Sequence, residues 1–218
     1  ENGDSALLRI KGTDKAIAIK TDSNHRYCYL NPFLGGKIII AEGIRNLVCV
    51  GAEPLAITNC LNFGNPQDSE IFWQFEECVK GMADACRFFS VPIISGNVSF
   101  YNESEKRSVD PTPVIGIVGI TRPPHYCTPA FKSDGDLIIL IGDTKEEIGG
   151  SELLYVMGKG KAGSPPLLDY NLEKASHSLV IKTIREGVLQ SAQDLSEGGL
   201  AVALVECCIF GNKGVVIE

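Results

Sequence analysis

The sequence lacks several features that identify common classes of protein. Lysine and arginine form no cluster, and the formal net charge of −7 argues against nucleic acid or an anionic membrane surface as its main partner. No uncharged apolar run approaches the ~20 residues that a membrane-spanning helix needs, and no basic-then-apolar leader opens the chain. We therefore expect no membrane partner and a cytoplasmic location.

The eight cysteines form no C-x-x-C pair, so the spacing typical of zinc sites and dithiol redox centres is missing. A metal or redox role is one interpretation, but several of them sit on apolar helical faces, which favours small buried side chains in a reducing compartment. Internal repeats and low-complexity segments are also missing. No Ser/His/Asp or Cys/His arrangement can be argued from spacing.

The chain has 218 residues, 44% of them hydrophobic and 22% charged, which is the composition of a globular protein of one large or two small domains. It begins with Glu1 rather than Met, and its last residues, KGVVIE, read as the start of a strand. We therefore expect a piece of a longer protein. Without their sheet partners, strands near 136–142 and 214–218 would expose unpaired edges.

The hydrophobic pattern predicts two regions of different architecture. The first contains strands over 5–10, 15–21, 55–64, 91–94 and 113–121 and helices over 37–50 and 69–89, in the order β-β-α-β-α-β-β. This order is typical of an α+β layer with helices packed on one face of a sheet. The proline-rich segment 122–130 predicts a boundary between domains of residues 1–122 and 123–218. The second region, with strands over 136–142 and from 214 and helices over about 171–187 and 197–210, reads as an incomplete α/β domain.

Small polar residues directly follow the apolar run that opens VPIISGNVSFYNESE. Gly96 permits close backbone approach to a ligand, because a side chain would clash there. Asn97 offers a neutral oxygen to a hard cation such as Mg²⁺, and Ser99 offers a hydroxyl. The segment therefore predicts a phosphate and metal corner; the alternative is a plain turn with its asparagine in a left-handed conformation.

Two further segments read as helix starts. Gly35 and Gly36 precede the predicted helix, where free N–H groups and the helix dipole favour a phosphate, although such pairs often only begin a helix. Asp194 and Ser196 lie at a predicted strand-to-helix junction in AQDLSEGGLAVAL. A polar site is one interpretation of this junction, and N-capping by Ser196 is the alternative.

The segment KTDSNHRY follows a predicted strand and carries several polar groups. Lys20 could meet a phosphate, Asp22 a metal and His25 a proton. The alternative is a solvated loop.

Longer motifs carry a resemblance to a known family. The stretches TNCLNFGNPQDSEIFWQFEECVKGMADACRFFSVPIISGNVSFYNES, RIKGTDKAIAIKTD, RYCYLNPFLGGK, IRNLVCVGAEP, GGSELL and QDLSEGGLAVAL together resemble the synthetase component of phosphoribosylformylglycinamidine synthase, in the aminoimidazole-ribonucleotide-synthetase-like superfamily. The resemblance covers practically the whole chain. It implies a ferredoxin-like α+β domain followed by the opening part of an α/β domain, from the second of two homologous halves.

The resemblance also implies a reaction and its partners. ATP would phosphorylate the amide oxygen of formylglycinamide ribonucleotide, and ammonia from glutamine would then displace phosphate to leave the amidine. Mg²⁺ would offset charge on ATP and on the transferring phosphoryl group. The implied partners are this substrate, the first half of the synthetase and a glutaminase subunit or domain.

In the family, a patch of the second half completes the active site of the first half. Gly96 resembles a nucleotide contact of that patch, Asn97 a Mg²⁺ ligand and Ser99 a substrate contact. A further nucleotide-binding position, an aspartate in many members, is Asn59 in this sequence. The departure removes a charge.

The same resemblance implies an auxiliary nucleotide site made by Lys20, Asp22, Gly35, Gly36 and Asp194. It contains no catalytic residue, because an asparagine, Asn24, takes the place of the catalytic histidine of the first half, and an amide cannot shuttle protons as imidazole does. We expect the isolated chain to be inactive. The alternatives are a structural half that completes an active site in trans, or another ATP-dependent member of the superfamily.

Overall fold

The computed structural model describes residues 3–105 and 107–217. The first region contains strands β1 to β5 and helices α1 to α3, and the second contains helices α4 to α6. In chain order they are β1 (Ala6–Arg9), β2 (Ala16–Asp22), α1 (His25–Leu30), α2 (Pro32–Cys49), β3 (Glu53–Asn62), α3 (Ser69–Phe89), β4 (Ile93–Ser99), β5 (Thr112–Thr121), α4 (Glu152–Val156), α5 (Tyr170–Arg185) and α6 (Gly199–Gly211).

The five strands form one mixed sheet in the order β1-β2-β5-β3-β4. Only β3 and β4 pair in parallel, joined by α3, and the other neighbours are antiparallel. The helices α2 and α3 pack over one face, and β4 lies at an edge of the sheet. The predicted α+β architecture is confirmed.

The core lies between α2 and the central strands. Ile39, Ile40 and Ile44 of α2 are buried against Ile115 and Ile117 of β5. The β-branched run at 38–40 suits a strand equally well, but burying each isoleucine is worth about 1.5–3 kcal/mol, which exceeds the small helix-propensity penalty of that residue.

Gly35 and Gly36 lie inside α2, so the prediction that they precede a helix is wrong. The helix begins at Pro32, and the Asn31 side chain accepts a hydrogen bond from the Leu34 N–H at 3.0 Å as N-cap. The Gly35 N–H already donates to the Asn31 carbonyl at 2.8 Å. A free helix terminus for phosphate is therefore not located at these two residues.

The two glycines instead let neighbouring helices approach α2. A Cβ on Gly35 would lie 2.6 Å from the Cys28 backbone nitrogen of α1, and one on Gly36 would overlap the Cys78 carbonyl oxygen of α3. Asparagine followed by proline at positions 31 and 32 is the sequence signal that marks the true helix start.

In the second region the predicted helices are present and the predicted strands are not. The helices α5 and α6 match the predictions over 171–187 and 197–210, but neither 136–142 nor 214–217 is a strand among the described residues. Leu137 and Val216 are each 89% exposed. An extended segment needs a neighbouring strand for its backbone hydrogen bonds, and none of the described segments pairs with either one.

The α6 start also differs from its prediction. Gly198 is the N-cap, in a left-handed conformation and with no side-chain capping bond, so Ser196 does not cap this helix. Asp194 lies in irregular backbone before the helix rather than at the end of a strand.

Helix α5 of the second region packs against α2 and α3 of the first. The Tyr170 ring stacks on Phe88 with centroids 4.6 Å apart, and its hydroxyl donates to Asp84 at 2.9 Å. Arg45 of α2 pairs with Glu173 of α5 at 2.7 Å.

Across residues 3–105 and 107–217, no helix has both the length and the apolar character needed to cross a membrane.

Candidate functional site

The parallel pairing of β3 with β4 brings four predicted site residues to one edge of the sheet. Asn59 is in register with Gly96, and Ser99 lies three residues farther along β4, opposite Asn62. Asn97 stands between them. The sequence alone does not give this register, because it depends on how α3 returns the chain to the sheet.

The glycine–asparagine–serine segment is a strand and not a turn. The prediction that the strand stops at 94 is wrong, since β4 continues to Ser99. Asn97 has no left-handed backbone, so the plain-turn alternative is also wrong for this residue; the reversal comes at Tyr101, whose φ is 59°. The strand is exposed over most of its length. Because a strand is pleated, its successive side chains point to opposite faces of this open edge.

Asn97 and Ser99 share one face of this edge, while Gly96 and Asn59 share the other. The pairing of β3 with β5 puts Asn59 opposite buried Ile115, which marks its face as the helix-covered one. A Cβ on Gly96 would overlap the Asn59 side-chain oxygen. The glycine thus permits the Asn59 amide to lie across the neighbouring strand.

The Asn97 side chain is oriented by a sulfur contact. Its Nδ2 donates to Cys60 Sγ at 3.7 Å, so the Oδ1 branch of the amide points away from that sulfur. Asn97 is exposed. Its neutral oxygen is of the type that hard cations accept.

The residues fit Mg²⁺ only as a shared site. Within the described ranges, no group of three or more His, Cys, Asp or Glu side chains could hold a metal ion. Mg²⁺ is normally held by one or two carboxylates and by substrate phosphates, with several waters. Asn97 therefore fits the role of one neutral ligand, and the described residues supply no anionic group of metal ligands beside it.

Ser99 is held by an asparagine just beyond the strand. The Asn102 Nδ2 donates to the Ser99 carbonyl at 2.8 Å and to the Phe63 carbonyl at 3.0 Å. The Ser99 hydroxyl lies 3.2 Å from Asn102 Oδ1 and 3.1 Å from its Nδ2. Phe63 is fully buried, so this network is anchored in the core.

A second polar cluster lies at the end of β2. Lys20, Asp22 and Glu42 line an open cleft of about 290 Å³, together with Thr21, Ser23, Val114, Ser196 and Glu197. Asp194 is close enough to interact electrostatically with Lys20 and Asp22. Three predicted members of the auxiliary site are therefore brought together, whereas Gly35 and Gly36 pack against α1 and α3.

Burial of this cluster favours protonated carboxyl groups. Loss of hydration raises the pKa of Asp22 to about 6, and it raises the pKa of Glu42 to about 8 with repulsion from Asp22 adding to the effect. Burial and the charge of Asp194 raise the pKa of Asp4 to about 7. Burial also raises the pKa of Asp194, against the attraction of Arg45. The cluster can hold protons or accept a cation.

The asparagines of this region make structural contacts. Asn24 caps α1, its side-chain oxygen accepting from the Tyr27 N–H at 3.1 Å. Asn46 donates to Asp22 Oδ2 at 3.0 Å and to the Glu42 carbonyl at 2.9 Å. His25 lies on the surface, with Nε2 4.0 Å from Asp110.

Sequence reasoning missed four residues of these two sites. They are Cys60 and Asn102 at the β4 edge, and Asp4 and Glu42 in the acidic cluster. Glu42 had a usable signal, since it is a lone acid in the apolar run of α2. Asn102 falls inside the motif SGNVSFYNE, but its contact to Phe63 is nonlocal.

Comparisons with known proteins agree along the whole chain. The family model for the N-terminal domain of AIR synthase related proteins matches residues 2–121, and the model for their C-terminal domain matches 133–218. The phosphoribosylformylglycinamidine synthase subunit PurL of Caldanaerobacter subterraneus subsp. tengcongensis is 51% identical over 216 residues, which are 99% of this chain and 30% of that protein. The chain thus spans about 30% of the length of this curated relative.

Similar solved structures come from T. maritima. PurL complexed with AMPPCP aligns with a TM-score of 0.53 and 34% identity, covering 58% of this chain and 21% of that one. PurL complexed with ATP aligns with a TM-score of 0.63 over 93% of this chain and 30% of that one, and its 24% identity makes this a likeness of fold. The resemblance read from the motifs is confirmed.

Proposed function

The chain belongs to the AIR synthase related protein family, and on that premise we propose that it is part of phosphoribosylformylglycinamidine synthase. This ATP-dependent ligase converts formylglycinamide ribonucleotide, ATP and glutamine-derived ammonia to formylglycinamidine ribonucleotide, ADP and phosphate in de novo purine biosynthesis. The 51% identity to a PurL subunit supports this reaction over others in the superfamily. The 34% identical PurL, solved with AMPPCP, supports ATP as the nucleotide.

One observation carries the proposal: the β3–β4 register gathers Asn59, Gly96, Asn97 and Ser99 at one open sheet edge. In our proposal Gly96 and Asn59 contact the nucleotide, Asn97 Oδ1 binds Mg²⁺ and Ser99 contacts the ribonucleotide. A bound Mg²⁺ would neutralise charge on the phosphates during transfer. In this proposal the four residues contribute binding and orientation, and none of them transfers a proton.

The proposed partners follow from the incomplete donor set. Carboxylate ligands and a catalytic base would come from the first half of the synthetase, which would cover the β4 edge, and a glutaminase subunit or domain would supply ammonia.

We further propose domains of residues 1–122 and 123–218, and an auxiliary nucleotide site at Lys20, Asp22 and Asp194. We also propose a cytoplasmic location, with which eight free cysteines are consistent.

Replacing Asn97 with leucine tests the metal role. In the complete synthetase, Asn97→Leu should lower activity by roughly 10- to 100-fold and raise the Mg²⁺ and ATP concentrations needed for half-maximal rate, because the amide oxygen is lost. Steady-state kinetics with titrated Mg²⁺ and ATP measure both effects. Folding should survive, because Asn97 is exposed.

Asn171→Leu is the matched control, as it makes the same change at an exposed asparagine of α5. It should leave the Mg²⁺ and ATP dependence unchanged. An Asn97→Leu enzyme with the Mg²⁺ and ATP dependence of the unaltered protein would rule out the ligand role.

A second candidate is a purely structural half that completes an active site in trans. The capping role of Asn24 favours it, because the resemblance implies that this position corresponds to the catalytic histidine of the first half. Both candidates predict that the 218-residue chain alone, supplied with ATP, Mg²⁺, formylglycinamide ribonucleotide and ammonia, gives no product. Turnover by this chain would show that it contains its own catalytic machinery.

A further inference from the structure

The Asn102 side chain has only one orientation that satisfies its surroundings. Two of its neighbours are the carbonyl oxygens of Ser99 and Phe63, at 2.8 and 3.0 Å from the atom assigned as nitrogen. Carbonyl oxygens can only accept hydrogen bonds, so a reversed amide would set oxygen against oxygen twice. The Nδ2 group must therefore face them, which leaves Oδ1 toward the Ser99 hydroxyl.

The two carbonyls use both hydrogens of the Asn102 amide. The Ser99 hydroxyl oxygen lies 3.1 Å from Nδ2. It can share a hydrogen that already bonds to a carbonyl, but Nδ2 has no further hydrogen to donate to it. Oδ1, at 3.2 Å, is an acceptor, and the hydroxyl proton of Ser99 is directed to it. A serine hydroxyl has one proton and two lone pairs, so what Ser99 can still offer to a ligand is a lone pair.

The network that fixes this orientation is attached to the core. The Asn102 backbone N–H also donates to the Phe63 carbonyl at 3.2 Å, and the Phe63 N–H donates to the Ser99 carbonyl at 3.0 Å. Phe63 packs edge-on against Phe75 with centroids 5.3 Å apart. The end of β4 is therefore held to the end of β3, which fixes the backbone that carries the Ser99 side chain.

We propose that Asn102 is a positioning residue that fixes Ser99 as a hydrogen-bond acceptor toward the substrate. The group that Ser99 recognises is then a donor, a hydroxyl or an amide N–H of the ribonucleotide, and not a phosphate oxygen. This inference rests on the proposed contact between Ser99 and formylglycinamide ribonucleotide.

A double-mutant cycle in the complete synthetase tests the positioning role. Ser99→Ala and Asn102→Ala should each raise the KM for the ribonucleotide, by roughly 5- to 10-fold, with the KM for ATP unchanged. The double variant should be no worse than Ser99→Ala alone, because Asn102 acts through Ser99. Asn65→Ala is the control, since Asn65 also braces local backbone, accepting from the Gln67 N–H at 2.9 Å. It should change neither KM.

The outcomes separate this inference from the function it rests on. Additive effects of Ser99→Ala and Asn102→Ala, or an effect of Ser99→Ala alone, would overturn the role of Asn102 and leave the substrate contact standing. No effect of Ser99→Ala would overturn both. Should Asn102→Ala melt below the assay temperature, Asn102→Ser replaces it, because a shorter hydroxyl can satisfy one carbonyl but cannot also hold Ser99.

Substrate analogues test the direction of the hydrogen bond. Replacing the recognised hydroxyl or N–H donor of the ribonucleotide by hydrogen or methyl should raise the KM of the unaltered enzyme by roughly 5- to 10-fold. The Ser99→Ala enzyme should no longer distinguish that analogue from the parent. The contrary result is an unaltered enzyme that discriminates only against an analogue altered at the phosphate, with Ser99→Ala losing that discrimination. Ser99 would then be a donor to the phosphate, and the inference would be wrong.

Discussion

Gly36 sits where α2 crosses α3 and shows how one missing Cβ sets a helix separation. A methyl group there would overlap the Cys78 carbonyl oxygen, which belongs to helical backbone and cannot swing aside as a side chain could. From the sequence, the same glycine pair is interpreted as the start of a helix that could bind a phosphate. Its burial makes packing the better explanation.

Gly36→Ala should therefore lower the free energy of unfolding by about 2 kcal/mol, because overpacking forces the two helices apart. Urea denaturation followed by circular dichroism measures the change. Gly214→Ala is the control, since a Cβ at Gly214 would have no neighbour within 4 Å. Equal stability of the two variants would contradict the packing role.

The sequence predicted some site residues and not others for physical reasons. Asn97 and Ser99 could be found because small polar residues after an apolar run are visible locally. Asn102 could not, since its partner Phe63 is 39 residues away in the chain. Asp4 and Asp194 meet across 190 residues, the Asp194 N–H donating to Asp4 at 3.0 Å, and no local pattern encodes that pairing.

At the scale of elements, Tyr170 supplies the aromatic part of the contact between α5 and the first region. Tyr170 stacks on Phe88, meets Phe89 edge-on at 5.4 Å and lies 4.2 Å from the Lys37 ammonium. Its hydroxyl adds the bond to Asp84. Tyr170 thus combines ring packing with one polar contact, beside the ion pair of α5 with α2 described above.

The two parts of this contact predict graded effects. Tyr170→Phe should cost about 1 kcal/mol of unfolding free energy, the value of one hydrogen bond to a charged or polar partner, and Tyr170→Ala about 3–4 kcal/mol. Amide hydrogen exchange should show the loss concentrated in α5. Protection of α5 that is unchanged in Tyr170→Ala would mean that other contacts hold the helix.

Strands that have partners within the described sheet were predicted as well as the long helices, and the predicted strands without such partners were wrong. The helix α3 was visible from its apolar period, and Asp68 caps its start. The segment 136–142 has a strand-forming composition, yet its backbone groups require an adjacent strand. The composition of a segment gives its tendency to form a strand, and the presence of a neighbouring strand decides whether the strand forms.

For the whole molecule, the acidic cluster predicts a pH-dependent stability. In the folded state Asp22, Asp4 and Glu42 have pKa values of about 6, 7 and 8, above those of the unfolded chain near 4. The folded state then binds more protons, so the free energy of unfolding should fall as pH rises from 5 to 8. The slope reaches about 1.4 kcal/mol per pH unit for each titrating group.

Glu42→Gln should flatten this slope, because an amide keeps the shape of the protonated acid and cannot ionise. Urea midpoints measured at intervals from pH 5 to 8, without nucleotide, give the dependence. Glu105→Gln, at an exposed position, should retain the original slope. A stability that increases over this range would mean that the cluster is ionised in the folded protein.

The open β4 edge has a consequence for how the proposed enzyme would use ATP. In the proposed enzyme, the groups that hold a phosphorylated intermediate would lie on this exposed strand, where hydrolysis by bulk water competes with amination. The first half of the synthetase, laid along that strand as proposed, would exclude water from the site. ATP would then be used for amination only when the two halves are in contact.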